Sequence, residues 1–288
     1  MNYSALIENR RSVREFTDRK VSPAELAQIK EFYYEQAGRL VPEITTALLI
    51  LGEDAKEKLE GAAGYNSFLV GAPTYLVLLS AGHPLAALNA GYIMEDVALK
   101  LEDMGLGSCW VTFHDSGAVK EALRIDSRLN VAAILAFGYG KKAARRPRIN
   151  ILSMSNIDVF ARRRYMDPKK SVSQLVHLDT WGNRQGLEDY IGFFDDMLWE
   201  SLHAVSLAPS YLNRQAYGFL LHDGGISLVR QPDEHTTGSD GDLSLGIALL
   251  HFDSVARKWA GKIHWQLGDE AEAPTLPEGC RVVASASL

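Results

Sequence analysis

The chain has 288 residues, 47% of them hydrophobic and 23% charged, proportions that suit a soluble globular protein with a substantial core. A net charge of -6 supplies no basic field for nucleic acid or an anionic membrane, and no apolar run approaches the ~20 residues that span a bilayer. The start, MNYSALIENRRSVREF, lacks an apolar stretch of signal-peptide type. Only Cys109 and Cys280 could pair, so the expectation is a cytoplasmic chain in which a disulfide is disfavoured and Cys109, in GSCWV, is a core thiol.

In chain order, a short helix over about 2–10 runs into RRSVREF, and a second helix is expected over 22–37. Ser22 suits its N-cap, Pro23 its first turn, and Glu25 completes a capping box. Leu26, Ile29, Phe32 and Tyr33 form its apolar stripe. TALLIL (46–51) and TYLVLLS (74–80) read as buried strands around a helical segment at 55–70. A long helix at 86–104 carries Ala90, Met94, Val97, Leu101 and Met104 at helical spacing, with Gly105 as a left-handed cap. GSCWV and VAAILAFGY (131–139) follow as strands, so the first half reads βαβ-like. A basic connection leads to a boundary within 150–185. Beyond it come a helix at 186–206, strands at 217–222 and 226–230, a helix at 242–260, and strands near 262–267 and 281–286. No short repeat is visible, which disfavours solenoids and propellers.

Three local signals bear on chemistry. Arg10-Arg11-Ser12-Val13-Arg14 places three guanidinium groups and a hydroxyl within five residues, a set matched to phosphate oxygens and equally to a solvated basic turn. Leu207 to Gln215 (LAPSYLNRQ) could present short polar groups to a flat heterocycle, although plain helix-to-strand turn residues explain it as well. The glycines of GLGSCW (105–110) permit close backbone approach to a ligand, or simply cap a helix and start a strand. Lying after a helix and before a strand, they form neither a dinucleotide fingerprint nor a phosphate loop. The histidines are scattered, no nucleophile elbow surrounds Ser210, and DEHTTGSDGD (233–242) reads as a surface loop leading into a helix.

RRSVREF, GAPTYLVL, NAGYIMEDVALKLEDMGLGSCW and APSYLNRQAYGFLL together resemble the nitroreductase family, in a subgroup with two family halves joined in one chain. The resemblance implies an α+β fold of two fused pseudo-symmetric halves, 1–165 and 166–288, with antiparallel or mixed sheets and long central helices. It implies FMN as cofactor and electron transfer from NAD(P)H to a nitroaromatic, quinone or similar acceptor by a ping-pong mechanism. It names no obligatory catalytic side chain and no metal, nucleic-acid or membrane partner, and is compatible with a monomeric pseudo-dimer or a further homodimer. A flavin-binding sensor or store with little turnover, or a different FMN reaction on the same fold, are the alternatives.

Carried over by position, Arg10, Arg11, Ser12 and Arg14 would hold the FMN phosphate and ribityl chain, helped by Arg162 and Arg164. Asn66 would contact the ring edge. Val111, Thr112 and Phe113 would lie along the ring, and Pro209, Ser210 and Asn213 would come from the second half. The chain departs from the usual family order: the Pro-Ser-Asn-Gln motif follows GLGSCW instead of preceding it, and Ala216-Tyr217 replaces the usual Pro-Trp.

Overall fold

The computed structural model describes residues 1–288 except 53, 67, 142–147, 154–155, 161–168, 188–195, 223, 237 and 269–274; for 148–153 and 156–160 only the backbone is described. The first sheet contains β1 (Thr46–Leu51), β2 (Thr74–Ser80), β3 (Gly107–Val111) and β4 (Asn130–Gly138) in the order β1-β2-β4-β3. Neighbours are all antiparallel. β2 and β3 are therefore parallel to one another with β4 inserted between them, and the βαβ-like reading becomes a split βαβ unit. Its crossover is helix α4 (Ala86–Asp103).

Period-two alternation makes the sheet two-faced. Leu76, Leu78, Leu135 and Phe137 pack toward Ile93, Met94, Val97 and Leu101 of α4. Tyr75, Val77, Ile134 and Ala136 face the opposite layer, with Leu59 of α3 (Asp54–Leu59) and Val119 of α5 (Ser116–Leu123). Helix α3 is shorter than the expected 55–70. Gly61 and Gly64 take positive φ, 85° and 108°, and turn the chain into a loop, a backbone state that glycine alone adopts without strain.

Two further strands, β5 (Arg148–Ser153) and β6 (Asn156–Phe160), form a hairpin where only a basic connection was expected. The chain then makes α6 (Val172–Leu175) and β7 (Val176–Leu178), which opens the second sheet. That sheet adds β8 (Tyr217–His222), β9 (Gly225–Arg230), β10 (Gln266–Leu267) and β11 (Arg281–Ser287), in the order β10-β11-β9-β8-β7. Within it, β8-β9-β11-β10 repeats the arrangement β1-β2-β4-β3. The equivalent crossover from β9 is helix α8 (Gly238–Ala256), and β7 is an extra strand parallel to β8. Helix α7 (Asp196–Ser206) covers this sheet through Leu198, Leu202 and Val205. The topological repeat gives the pseudo-symmetric α+β architecture its physical basis.

The two crossover helices meet at the centre of the molecule through glycines. A Cβ at Gly91 would overlap the Leu243 carbonyl, and one at Gly246 would overlap the Leu88 carbonyl and lie 2.8 Å from Tyr92 N. Backbone thus touches backbone, closer than any side chain permits. Helix α8 begins four residues earlier than expected, so Asp240 belongs to its first turn and not to a surface loop. At the other end of α4, Gly105 has φ 75° and Leu106 N donates to Leu101 O at 2.8 Å, the left-handed cap expected there. The Ser22 capping box is likewise present on α2 (Pro23–Glu31), although the last turn of this segment, Phe32–Gln36, widens into a π-helix.

Candidate functional site

Helix α1 (Tyr3–Asn9) ends where Arg10 turns extended, with ψ 134°. The arginine segment is then laid along β3: Ser12 bridges Ser108 and Val13 N donates to Ser108 O at 2.8 Å. Val13 sits on Gly107, where any Cβ would collide with its side chain. The second glycine of GLGSCW therefore makes room for the arginine segment and not for a ligand. Arg10 is buried, and its Nε lies 3.3 Å from Glu95 Oε1, close enough for an ion pair but off the line of a hydrogen bond.

Glu95, on α4, is wholly buried. Its carboxylate accepts from Trp110 Nε1 at 2.9 Å and pairs with His251 Nε2 at 3.0 Å; His251 Nδ1 lies 2.8 Å from Ala204 O. Burial opposes ionisation of Glu95 most strongly. Arg10, His251 and Trp110 together outweigh it and hold the carboxyl below its ordinary value. One buried charge cluster thereby joins the arginine segment to both central helices.

The second wall is the Pro209–Gln215 turn. Leu212, Asn213 and Gln215 all have positive φ (47°, 58° and 44°), an uncommon conformation for side-chain-bearing residues that the surroundings must hold. Gln215 is fully buried and does much of that holding. Its Oε1 accepts from Lys170 N at 2.8 Å, its Nε2 donates to Ser206 O at 3.0 Å, and its backbone N donates to Ser210 Oγ at 2.9 Å. Tyr211 N donates to Ser244 Oγ of α8 at 3.1 Å, and Lys169 Nζ donates to Ala208 O at 2.9 Å.

These walls enclose a cavity of about 680 Å³. Arg10, Arg11, Ser12 and Arg14 stand on one side, with Lys169 adding a further cation. Pro209, Ser210 and Asn213 line it from the second half, Cys109 to Thr112 form its floor, and Leu243, Ser244 and Ile247 of α8 close it. Gly64, Tyr65 and Phe68 complete the rim, in a loop tied to the floor by Gly64 N donating to Thr112 O at 2.7 Å. Burial pushes the Cys109 thiol up, against the pull of Arg14 and Arg10. Burial also pushes the Asp240 carboxyl up, eased by the Thr112 hydroxyl, which donates to it at 3.1 Å, and by His114.

Of the residues expected from the sequence, Arg10, Arg11, Ser12, Arg14, Val111, Thr112, Pro209, Ser210 and Asn213 are brought together on this cavity. Asn66 is exposed in the 65–68 turn, and Phe113 packs against the core beneath the first sheet; neither lies on the cavity wall. Arg162 and Arg164 lie outside the described residues. Sequence reasoning missed Tyr65 and the α8 residues, which nothing local marks and only the fold carries to the cavity; Lys169 stands in the same basic run as Arg162 and Arg164 but was not singled out, and Asp240 was read as part of a surface loop. Glu95 had one available signal, a charged residue on the apolar face of a strongly periodic helix.

The fold and the placement of the site define a nitroreductase-like α+β protein. Residues 2–256 match the family model described as "Putative TM nitroreductase", and the chain belongs to that family. A Thermotoga maritima crystal structure described as a "putative nitroreductase" is 19% identical, with a TM-score of 0.61 over 100% of this chain and 94% of that one. A nitroreductase family protein from Clostridium novyi NT is 22% identical and covers 50% of this chain and 87% of its own, with a TM-score of 0.43. An "FMN-dependent Nitroreductase" from Clostridium difficile R20291 is 20% identical and covers 48% of this chain and 88% of its own, with a TM-score of 0.41. No curated protein matches the chain.

Proposed function

We propose that the cavity holds FMN and that the chain is an FMN-dependent oxidoreductase carrying electrons from NAD(P)H to a nitroaromatic, quinone or similar small acceptor. The observation that carries this reading is that the Arg10–Arg14 segment and the Pro209–Asn213 turn, distant in sequence, line one cavity. Its volume of about 680 Å³ lies within the ~300–1,000 Å³ of cofactor and small-molecule sites. The donor set also fits the group. Arg11, Arg14, Ser12 and Lys169 supply cations and a hydroxyl suited to a single phosphate. Val111, Leu243 and Ile247 supply apolar wall for a flat ring, with Ser210 and Asn213 as polar partners. Arg10, already tied to Glu95, would share its charge with the cofactor.

Bound there, FMN supplies reversible two-electron redox chemistry. The protein's own residues hold its phosphate, exclude water with Leu207, Tyr211 and Ile247, and leave space that donor and acceptor would occupy in turn, which implies ping-pong kinetics. In this reading residues 1–165 and 166–288 form a pseudo-dimer in one chain, and a monomer or a further homodimer can carry the site. Thr112 is the lone hydroxyl of the floor at the Asp240 end, and no side chain is required as an obligatory acid or base. Two free thiols, Cys109 and Cys280, suit a reducing cytoplasm, and among the described residues no helix is long and apolar enough to cross a membrane.

The test is anaerobic mixing of purified protein with NADH or NADPH. The flavin absorbance should bleach and return on addition of a nitroaromatic or quinone, and a mass spectrum of the released ligand should give FMN. Flavin that is bound but never bleached would favour a binding protein with little turnover.

A further inference from the structure

The cavity is electrically polarised along β3. The arginine segment is pinned at Ser108, and both Arg10 and Arg14 act on the neighbouring Cys109. Asp240 is fixed at the other end, on Thr112. At ~3.3 Å per residue, Ser108 and Thr112 stand roughly 13 Å apart. Asp240 is the one carboxylate among the described cavity-lining residues. Around it the wall is aromatic. Tyr65 and Tyr211 meet edge to face, with ring centroids 6.4 Å apart at 73°. Tyr211 N donates to Ser244 Oγ, which donates to Asp240 O at 2.8 Å, so Tyr65, Tyr211 and Asp240 share one stretch of the cavity wall. Phe68, 66% exposed, stands beside Tyr65 with its ring largely in solvent, and Leu212, 45% exposed, continues the rim. Uncovered aromatic rings at the mouth of a cavity are apolar surface open to a flat ligand, because stacking and edge contacts add to the burial of area.

We propose that Tyr65, Phe68, Tyr211 and Asp240 form the acceptor subsite of this cavity, and that the Asp240 carboxylate selects uncharged or cationic aromatic acceptors against anionic ones. This rests on the FMN reading, which assigns the arginine end to the cofactor phosphate. An acceptor bearing a carboxylate meets Asp240 as a like charge in a partly desolvated site. An acceptor bearing an ammonium group meets an opposite charge and aromatic faces suited to it. Thr112 donates to Asp240 from the floor, while His114, two residues beyond the floor, and Tyr211, on the turn, act on it through space. Thr112 orients the carboxylate by donating to both of its oxygens at 3.1 Å.

The experiment is calorimetric titration of oxidised, FMN-loaded protein, without electron donor, with para-nitrobenzyltrimethylammonium, nitrobenzene and para-nitrobenzoate. The absorbance spectrum of the same sample establishes the flavin content. The wild type should bind the cation at least about tenfold more tightly than the carboxylate, with nitrobenzene between them. Asp240→Asn should bring cation and anion within about threefold of each other, and Tyr65→Leu should weaken all three probes together. Asp240→Ser is the second neutral variant if the amide does not fold. Wild-type protein that binds para-nitrobenzoate as tightly as the cation overturns the inference, as does a preference unchanged in both neutral variants. Protein that holds no FMN overturns the functional reading and the subsite with it; protein that holds FMN but shows no charge preference overturns the subsite alone.

Discussion

Replacing Glu95 with Gln removes one charge from the buried cluster and leaves its shape. Glu95 is 0% exposed and Arg10 is 7% exposed, so neither charge is hydrated as it would be at the surface. The substituted amide can still accept from Trp110, but Arg10 and His251 lose the carboxylate they face at 3.3 and 3.0 Å. Breaking a buried pair by removing one partner costs about 3–5 kcal/mol, because the other charge stays buried without compensation. Arg10 lines the cavity, where water can reach it, and this places the expected loss at the low end, about 3 kcal/mol.

The pH dependence fixes the sign. The folded carboxyl of Glu95 sits below its ordinary 4.5, so its contribution is fully present above that value and is lost as pH falls through the folded one. The deficit of Glu95→Gln should therefore be largest near neutrality and shrink on acidification. Urea unfolding of both proteins across that range measures it. A loss below about 1 kcal/mol at neutral pH, or a deficit that does not change with acid, would refute the idea that this carboxylate is a buried counter-charge.

Gly246→Ala places a methyl group on the Leu88 carbonyl, so the central helices must part, at a cost of at least about 1–3 kcal/mol in denaturant unfolding; unchanged stability would contradict the close crossing. Asp253 is buried among Tyr92, Trp265 and Arg257, and burial pushes its carboxyl up to about 6 in spite of hydrogen bonds from Trp265 and Tyr92. A raised value favours the folded state below the ordinary 3.8, and that advantage disappears as pH rises through about 6. The gap corresponds to roughly 3 kcal/mol. Relative to wild type, Asp253→Asn should flatten the stability profile across that window, and parallel profiles would count against the burial argument. Arg14→Ala removes an exposed guanidinium at the cavity, so FMN affinity should fall about 10- to 100-fold with little change in fold stability, both readable by fluorescence titration and urea unfolding.

Much of the fold was legible because local chemistry and long-range packing agree in it. Ser22-Pro23-Glu25 announces a helix start, Gly105 a helix end, and TYLVLLS a strand buried on both faces. What was not legible is long-range. Three residues, Val176–Leu178, become a strand only because β8 offers a free edge. Asp115 caps α5 with its side chain accepting from Gly117 N at 2.8 Å, a start signal that SGAVKEAL was too short to reinforce. The arginine cluster and the Pro-Ser-Asn turn could be read as motifs, yet their partners could not. Gln215 belonged to the motif and is a structural clamp, while Asp240 stood in a run of polar residues typical of a loop. Gly107 shows the opposite error, a glycine that suggests a ligand and instead accommodates Val13.

The central claim is that one cavity, built from the Arg10–Arg14 segment and the Pro209–Asn213 turn of the same chain, holds one FMN. Neither segment has a counterpart in the other half of the sequence, so a second complete site has no residues from which to form. The direct measurement is the molar ratio of FMN to polypeptide after saturation and removal of excess, with the eluting mass recorded on the same sample. Because the two segments are covalently tethered, the site should survive dilution. One FMN per chain is expected, retained in any monomeric fraction. Two FMN per chain, or flavin lost whenever the protein is monomeric, would contradict it.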